Sequence, residues 1–198
     1  MNNENYRFWK KVWNSKGESN SVDLLFLDGY EHLESNFSSQ QITQEIINSL
    51  KINNTDRVLE VACGCGFLSR EFNNLCTYVG VDYSKPIIAK HKELFKHEVY
   101  VCESNNLFFQ DNSFDHVFCY GLFQYLPNIE YAEQTIAEMC RVSKNGIYLG
   151  DLKKTKTRDQ HFVYPVFKLQ DKDFRFSKCI HTPKNQDRFN AYKIKGEV

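Results

Sequence analysis

Apolar and polar positions along the chain follow two alternating periods. Compact apolar runs at 57–62, 78–82, 98–102, 114–119 and 147–149 have the length and composition of buried strands. Between them, apolar residues recur at the three- and four-residue spacing of amphipathic helices. Ile42, Ile46 and Leu50 form one such face; Ile87, Ile88, His91 and Leu94 a second; Ala132, Ile136, Met139 and Cys140 a third. Helix starts are signalled by Ser38 with Gln41 as a capping box, by Ser84 with Pro86 in the first turn, and by Asn128. The stretch from Phe67 to Phe72 is expected to open a further helix. Two more strands are expected at 174–180 and 188–195. The segment Thr182-Pro183-Lys184-Asn185 between them is too short for a crossover helix, so this pair must be antiparallel. Strands alternating with helices predict an α/β fold with a largely parallel sheet.

The first part of the chain stands apart from this alternation. Phe8, Trp9, Val12 and Trp13 fall at helical spacing, and Asp28-Gly29 is a turn signal. Residues 1–37 are therefore expected to be an N-terminal extension, and 38–198 the main domain. Trp9 and Trp13 have two readings: a staple of that helix to the core, or part of a lid over a ligand.

The 198 residues suit one domain with its own core. Lys and Arg together number 25, as do Asp and Glu, a balance that argues against nucleic acid as the partner. The charge is unevenly spread, however. From Leu152 onward there are 12 Lys/Arg against 5 Asp/Glu. This basic stretch reads either as a solvated edge or as a mouth that attracts an anionic, for instance phosphorylated, small molecule; within it, the run Lys153-Lys154-Thr155-Lys156-Thr157-Arg158 reads either as a solvated loop or as a segment that holds the phosphates of a protein or RNA acceptor. Seven Cys without a CxxC pair point to free thiols and a reduced, cytoplasmic setting, with no metal site expected. The polar start Met1-Asn2-Asn3-Glu4-Asn5 lacks a secretory pattern, and no apolar run approaches a membrane span.

The chemistry concentrates at two strand ends. Glu60 lies four residues before Gly64 and six before Gly66 at the end of the first strand; Asp82 closes the second. A glycine turn lets backbone approach a ligand, and a carboxylate at the next strand end can hold both ribose hydroxyls. Together they predict a nucleoside-like cofactor across the carboxyl edge. A dinucleotide fingerprint would have a third glycine where Ser69 stands. Glu60 would also repel a pyrophosphate, whereas it suits a cationic ligand. S-adenosylmethionine, with an ammonium and a sulfonium and no phosphate, fits better than NAD.

The ordered series of segments resembles the class I S-adenosylmethionine-dependent methyltransferases. Val58-Leu59-Glu60-Val61-Ala62-Cys63-Gly64-Cys65-Gly66 is similar to the family's first motif and Gly80-Val81-Asp82-Tyr83-Ser84 to its second. Cys102 through Phe109, with Asp111-Asn112-Ser113-Phe114-Asp115, resembles the segment after strand three. Tyr120 through Pro127 and Glu138 through Val142, with Asn145-Gly146, resemble the segments around strands four and five. The resemblance covers roughly residues 40–152. It implies a Rossmann-like, doubly wound, seven-stranded sheet, mostly parallel with an antiparallel last strand. It implies that Glu60, Ala62 and Gly64, with Gly66 in the same loop, border the donor's methionine part, and that Asp82 holds its ribose. Tyr83 and Ser104 would flank the adenine, Glu103 would accept from its amino group, and the backbone at Cys119 would meet the methionyl amine. Ala62 departs from the glycine common there, and Gln124-Tyr125 from a common His pair; Gln124 could orient an acceptor or hold the donor's carboxylate. The absence of Asn-Pro-Pro-Tyr after strand four speaks against amino methylation of bases or of glutamine.

The expected reaction is methyl transfer to an oxygen or nitrogen of a small-molecule acceptor by a monomer or homodimer. Base candidates at the acceptor side are Asp151, Tyr125 and His161, with Tyr30 or His32 from the extension. His91 and His116, within a helix and a strand, read as structural. Two other readings remain at this level: a non-catalytic methyltransferase-like partner protein, and a nicotinamide-dependent oxidoreductase.

Overall fold

The computed structural model describes residues 4–30, 38–156, 158–179 and 187–196. Its centre is a seven-stranded sheet: β1 Arg57–Val61, β2 Thr77–Asp82, β3 Glu98–Val101, β4 Phe114–Tyr120, β5 Ser143–Lys153, β6 Arg175–Lys178 and β7 Arg188–Ile194. The spatial order is β3-β2-β1-β4-β5-β7-β6. β1 to β5 pair in parallel, and β7 runs antiparallel to both β5 and β6. The expected antiparallel final strand is thus inserted between β5 and β6. Chain order reverses between β1 and β4, so a crevice opens at their carboxyl ends, where ligands bind in open α/β sheets.

Alternation along the strands divides the core in two. Leu59, Val117, Ile147 and Leu149 pack with one face of α6 (Ile129–Val142) through Ala132, Ile136 and Met139. Val58, Phe118 and Tyr148 point the other way, toward Ile42, Ile46 and Leu50 of α3 (Ser39–Leu50). Both faces of the sheet are covered, which is why its strands read as unbroken apolar runs.

The anticipated caps form at α5 (Lys85–Leu94), where Ser84 Oγ accepts from the Ile87 amide, and at α6, where Asn128 accepts from Tyr131. Ser38 occupies the N-cap of α3 in extended conformation, but its side chain makes no cap bond. The helix expected at 67–72 shrinks to one turn, α4 (Ser69–Phe72), because Phe67, Leu68 and Phe72 are all buried in the core rather than along one helical stripe.

The N-terminal helix α1 (Glu4–Glu18) lies across α5. A Cβ at Gly17 would come within 2.5 Å of the Pro86–Ile87 backbone, so glycine permits this close crossing. Asn14 accepts from Ser84 Oγ at 2.7 Å. A single turn, α2 (Leu24–Leu27), then leads to Asp28 and Gly29. The remaining helix is a short α7 (Val166–Gln170). Among the described residues, no helix is long and apolar enough to cross a membrane.

Candidate active site

The loop after β1 is held from below and from above. Its backbone turns through left-handed conformations at Ala62 (φ 63°) and Gly64 (φ 56°). A residue with a Cβ costs about 1 kcal/mol in that region, the strain Ala62 accepts in place of glycine. Below, His91 Nδ1 lies 2.8 Å from the Gly64 carbonyl, which can only accept, so Nδ1 carries the proton. Burial, helped by the neighbouring His97 and Lys92, pushes His91 down to about 4 and keeps it neutral. Its Nε2 can then accept from Ser69 Oγ, 3.3 Å away. Ser69 stands at the place of a third glycine and braces the loop. From above, the Asp28 carboxylate accepts from the amides of Cys65 at 2.6 Å and Phe67 at 2.8 Å. A Cβ at Gly64 would sit 2.3 Å from Asp28 Oδ1, and one at Gly66 would meet Phe95 and Ser69. These glycines make room for neighbours within the chain, and Gly64 also borders the first cavity, where ligand approach is expected of it.

Three adjoining cavities lie at this edge of the sheet, two of them bordered by the loop. The first is lined by Glu60, Ala62, Gly64, Asp82, Tyr83, Gln124 and Tyr125, with Asp28, Tyr30 and Asp151. It has four carboxylates on its walls and, among the described residues, neither Lys nor Arg. Burial, chiefly, raises all three acids around the loop. Asp28 is pushed up to about 7, with Asp82 adding repulsion, and Asp82 to about 6, with Glu103 adding to it. Glu60 stands well above its usual range, repelled by Asp28 and Asp82, although Tyr78 donates to it at 2.6 Å. Asp82 accepts from the Ser84 amide at 2.9 Å and from the Gly64 amide at 3.4 Å. Gln124 Oε1 is buried with no hydrogen-bond partner among the described residues.

The second cavity lies between Tyr6, Trp9, Tyr83, Ser104 and Tyr131, with Glu103 in its wall. Glu103 accepts from Tyr6 at 2.5 Å and from Tyr131 at 2.7 Å, and Lys10 is 3.6 Å away. Ser104 is bonded to Thr135 at 3.0 Å. The third cavity, about 360 Å³, is of opposite sign: Lys16, Lys153, Arg158 and Arg188 line it beside Trp9, Trp13 and His161, with no Asp or Glu among its described lining residues. Tyr125 borders all three cavities.

Glu60, Ala62, Gly64, Asp82, Tyr83 and Gln124 are thus brought together around the first cavity, and Glu103 and Ser104 around the second. Gly66 and Cys119 are not on these walls; Cys119 is fully buried in the sheet core. Asp151, a base candidate just past the apolar run 147–149, is expected to follow the fifth strand. Instead β5 continues to Lys153, and Asp151 sits on a bulge in the β5–β7 pairing with a left-handed φ of 58°. That extra residue re-aims its side chain. Its amide donates to Asn190 at 3.0 Å, and its carboxylate pairs with Arg188. Tyr30 is buried beside it, its hydroxyl within 3.3 Å of where a Cβ on Gly121 would lie. His161 stacks on Trp9 (5.3 Å, 15°) and lies 3.1 Å from Lys153 Nζ. Burial and then the cations Lys153, Arg158 and Arg188 push it down to about 4, so the imidazole is neutral near pH 7. His116 faces Asp56 at 3.5 Å away from the cavities, as its structural reading expects. His32 lies outside the described residues.

Asp28, Tyr6, Tyr131, Lys153 and Arg188 were not singled out as site residues by the sequence. Asp28 registered only as half of a turn signal, and Lys153 as part of a basic run.

Residues 59–149 match the family model described as "Methyltransferase domain". A curated relative from Aspergillus luteorubrus, described as probable methyltransferase ltbC, is 30% identical over 129 residues, covering 58% of this chain and 44% of that protein. The chain therefore spans less than half the length of this relative. Among solved structures, magnesium protoporphyrin IX methyltransferase from Synechocystis PCC 6803 with bound SAM superposes with a TM-score of 0.68 at 14% identity, over 96% of this chain and 97% of that one. Phosphoethanolamine N-methyltransferase 1 from Haemonchus contortus, in complex with phosphoethanolamine and S-adenosylhomocysteine, superposes with a TM-score of 0.73 at 14% identity, over 100% of this chain and 51% of that one. At these identities the structural likenesses establish the fold.

Proposed function

We propose that the chain transfers a methyl group from S-adenosylmethionine to an oxygen or nitrogen of a small, anionic acceptor; residues 59–149 match the methyltransferase-domain family model, and the fold is that of an S-adenosylmethionine-bound methyltransferase. The observation that carries this reading is the first cavity, walled by Asp28, Glu60, Asp82 and Asp151 with neither Lys nor Arg among its described lining residues. Carboxylates crowded in a poorly solvated space raise one another's pKa, and a bound cation relieves that cost. A pyrophosphate would add to it, which disfavours a nicotinamide cofactor. The buried, unpartnered Gln124 Oε1 offers one more acceptor suited to an ammonium.

When bound, S-adenosylmethionine supplies a methyl carbon activated by its sulfonium. Glu60 and Gln124 would border its cationic end, Asp82 would accept from the ribose hydroxyls, and Tyr83, Glu103 and Ser104 would enclose the adenine. The chain's main contribution is to hold both partners in line and exclude water. Trp9, Trp13 and Tyr125 screen the junction between cavities. Asp151, ion-paired with Arg188, is the base that takes a proton from an acceptor hydroxyl.

The direct test is transfer of labelled methyl from S-adenosylmethionine to a panel of small acids, run beside titration of the protein with S-adenosylhomocysteine. Binding without turnover on any acceptor would favour a non-catalytic partner. Absence of binding would overturn the reading altogether.

A further inference from the structure

The third cavity is lined by cationic side chains. Lys16, Lys153, Arg158 and Arg188 converge on one space of about 360 Å³, within the ~300–1,000 Å³ typical of small-molecule sites. The acids facing these cations lie behind them. Asp151 engages Arg188, and Asp187, which acts on Lys153, is itself bonded by the Thr155 hydroxyl. Neither lines the cavity. Lys153 is 6% exposed, and its ammonium is 3.1 Å from His161 Nδ1. Burial, with Arg188 and Arg158 adding repulsion, brings Lys153 down to about 8. Like charges converging on one cavity repel one another, and an anion seated among them relieves that repulsion.

The opposite wall is aromatic. Trp9 is fixed by a 3.0 Å bond from Nε1 to the Gln160 carbonyl and by its stacking on His161. Tyr125 meets Trp9 and Trp13 edge-on, with ring centroids 4.6 and 5.1 Å apart. Three large rings beside a basic floor match a flat unsaturated body with an acidic end. Trp13, Gly29, Gln124 and Tyr125 also line the carboxylate-walled cavity, so a molecule seated here reaches the donor side at Gln124 and Tyr125.

We propose that this cavity is the acceptor site and that the acceptor is a flat, unsaturated acid. Its carboxylate or phosphate rests on Lys153, Arg158 and Arg188, its body packs on Trp9, Trp13 and Tyr125, and its nucleophilic atom points toward Gln124. The inference rests on the methyltransferase reading and is tested separately from it. Protein saturated with S-adenosylhomocysteine is titrated with benzoate, phenyl phosphate, inorganic phosphate and benzyl alcohol. At least one of benzoate and phenyl phosphate is expected to bind tenfold or more tighter than both benzyl alcohol and inorganic phosphate; the tighter of the two identifies the acidic group. Lys153→Gln should weaken that binding at least tenfold, and Arg158→Gln, at an exposed position that folding tolerates, several-fold, with S-adenosylhomocysteine affinity unchanged in both. Equal binding of acid and alcohol overturns the proposal. So does failure of both benzoate and phenyl phosphate to bind tighter than inorganic phosphate, absence of all probe binding while S-adenosylhomocysteine still binds, or indifference to both substitutions. Failure to bind S-adenosylhomocysteine overturns the methyltransferase reading and this inference with it.

Discussion

The carboxylate of Asp28 lies 2.6 Å from the backbone amide of Cys65, and its second oxygen 2.8 Å from that of Phe67. A residue of the N-terminal segment thereby fixes the glycine loop that borders the carboxylate-walled cavity. Replacing Asp28 by Ala strands two amides, each worth about 1–3 kcal/mol if left without water or partner. Relief of repulsion with Asp82 and Glu60 offsets part of this. The expected result is a net loss of about 1–3 kcal/mol and a tenfold or greater drop in S-adenosylhomocysteine affinity. Asp28→Asn, with one accepting oxygen, should fall between Ala and the parent. Thermal melts and titration calorimetry on the three proteins check this; parent-like binding by Asp28→Ala would remove Asp28 from the site.

The raised acids also dictate a pH dependence. Asp28 near 7 and Asp82 near 6 hold protons in the ligand-free fold that the unfolded chain, with ordinary carboxyls near 3.8, has already released. Their contribution to stability is therefore full below about pH 4 and is lost as pH rises through 6 to 7. A bound cation favours the ionised carboxylates, so donor affinity should rise between pH 5 and 7.5 with net proton release. Calorimetry in buffers of different ionisation enthalpy reads both quantities. A flat affinity profile without proton release would contradict the assignment.

Asp82 and Glu103 differ in how they are engaged. Among the described residues, Asp82 accepts only from backbone amides, and it lines the first cavity. Glu103 is already held by the Tyr6 and Tyr131 hydroxyls, one on each oxygen. Asp82→Asn is accordingly expected to cost tenfold or more in donor affinity and Glu103→Gln less, with Tyr6→Phe partly separating the two effects by releasing one Glu103 oxygen. Dissociation constants for S-adenosylmethionine across the set decide this. If both charge-neutral variants bind like the parent, the cofactor lies elsewhere.

What was legible in the sequence is what local chain chemistry determines. The strand–loop–strand unit carrying Glu60, Gly64 and Asp82 is contiguous, and the caps at Ser84 and Asn128 act within one turn. What was not legible arises across the fold. Tyr6 reaches Glu103 over 97 positions, and Asp28 and Arg188 reach their partners over 37 each. No period or spacing encodes such pairs. The short α4 differs for a related reason: Phe67, Leu68 and Phe72 are all buried in the core, and at these spacings they do not share one face of a helix. The bulge at Asp151 likewise depends on its register against β7.

Asp151 offers the sharpest test of chemistry against architecture. Its left-handed backbone is one that Asn also tolerates, so Asp151→Asn removes charge while keeping shape. It also leaves Arg188 as a buried cation without its carboxylate, and breaking such a pair costs about 3–5 kcal/mol. The double variant Asp151→Asn/Arg188→Gln removes both charges and should recover much of that stability. If Asp151 is the base, turnover falls about 10²–10³-fold in the single variant. It stays low in the double variant although the melting temperature returns, and S-adenosylhomocysteine affinity changes only a few-fold in either. Loss of Arg188 should add a rise in acceptor KM, since that guanidinium also lines the basic cavity. Turnover restored together with stability would mean that Asp151 serves only to hold Arg188, and the proton acceptor would then have to be sought at Tyr30 or Tyr125.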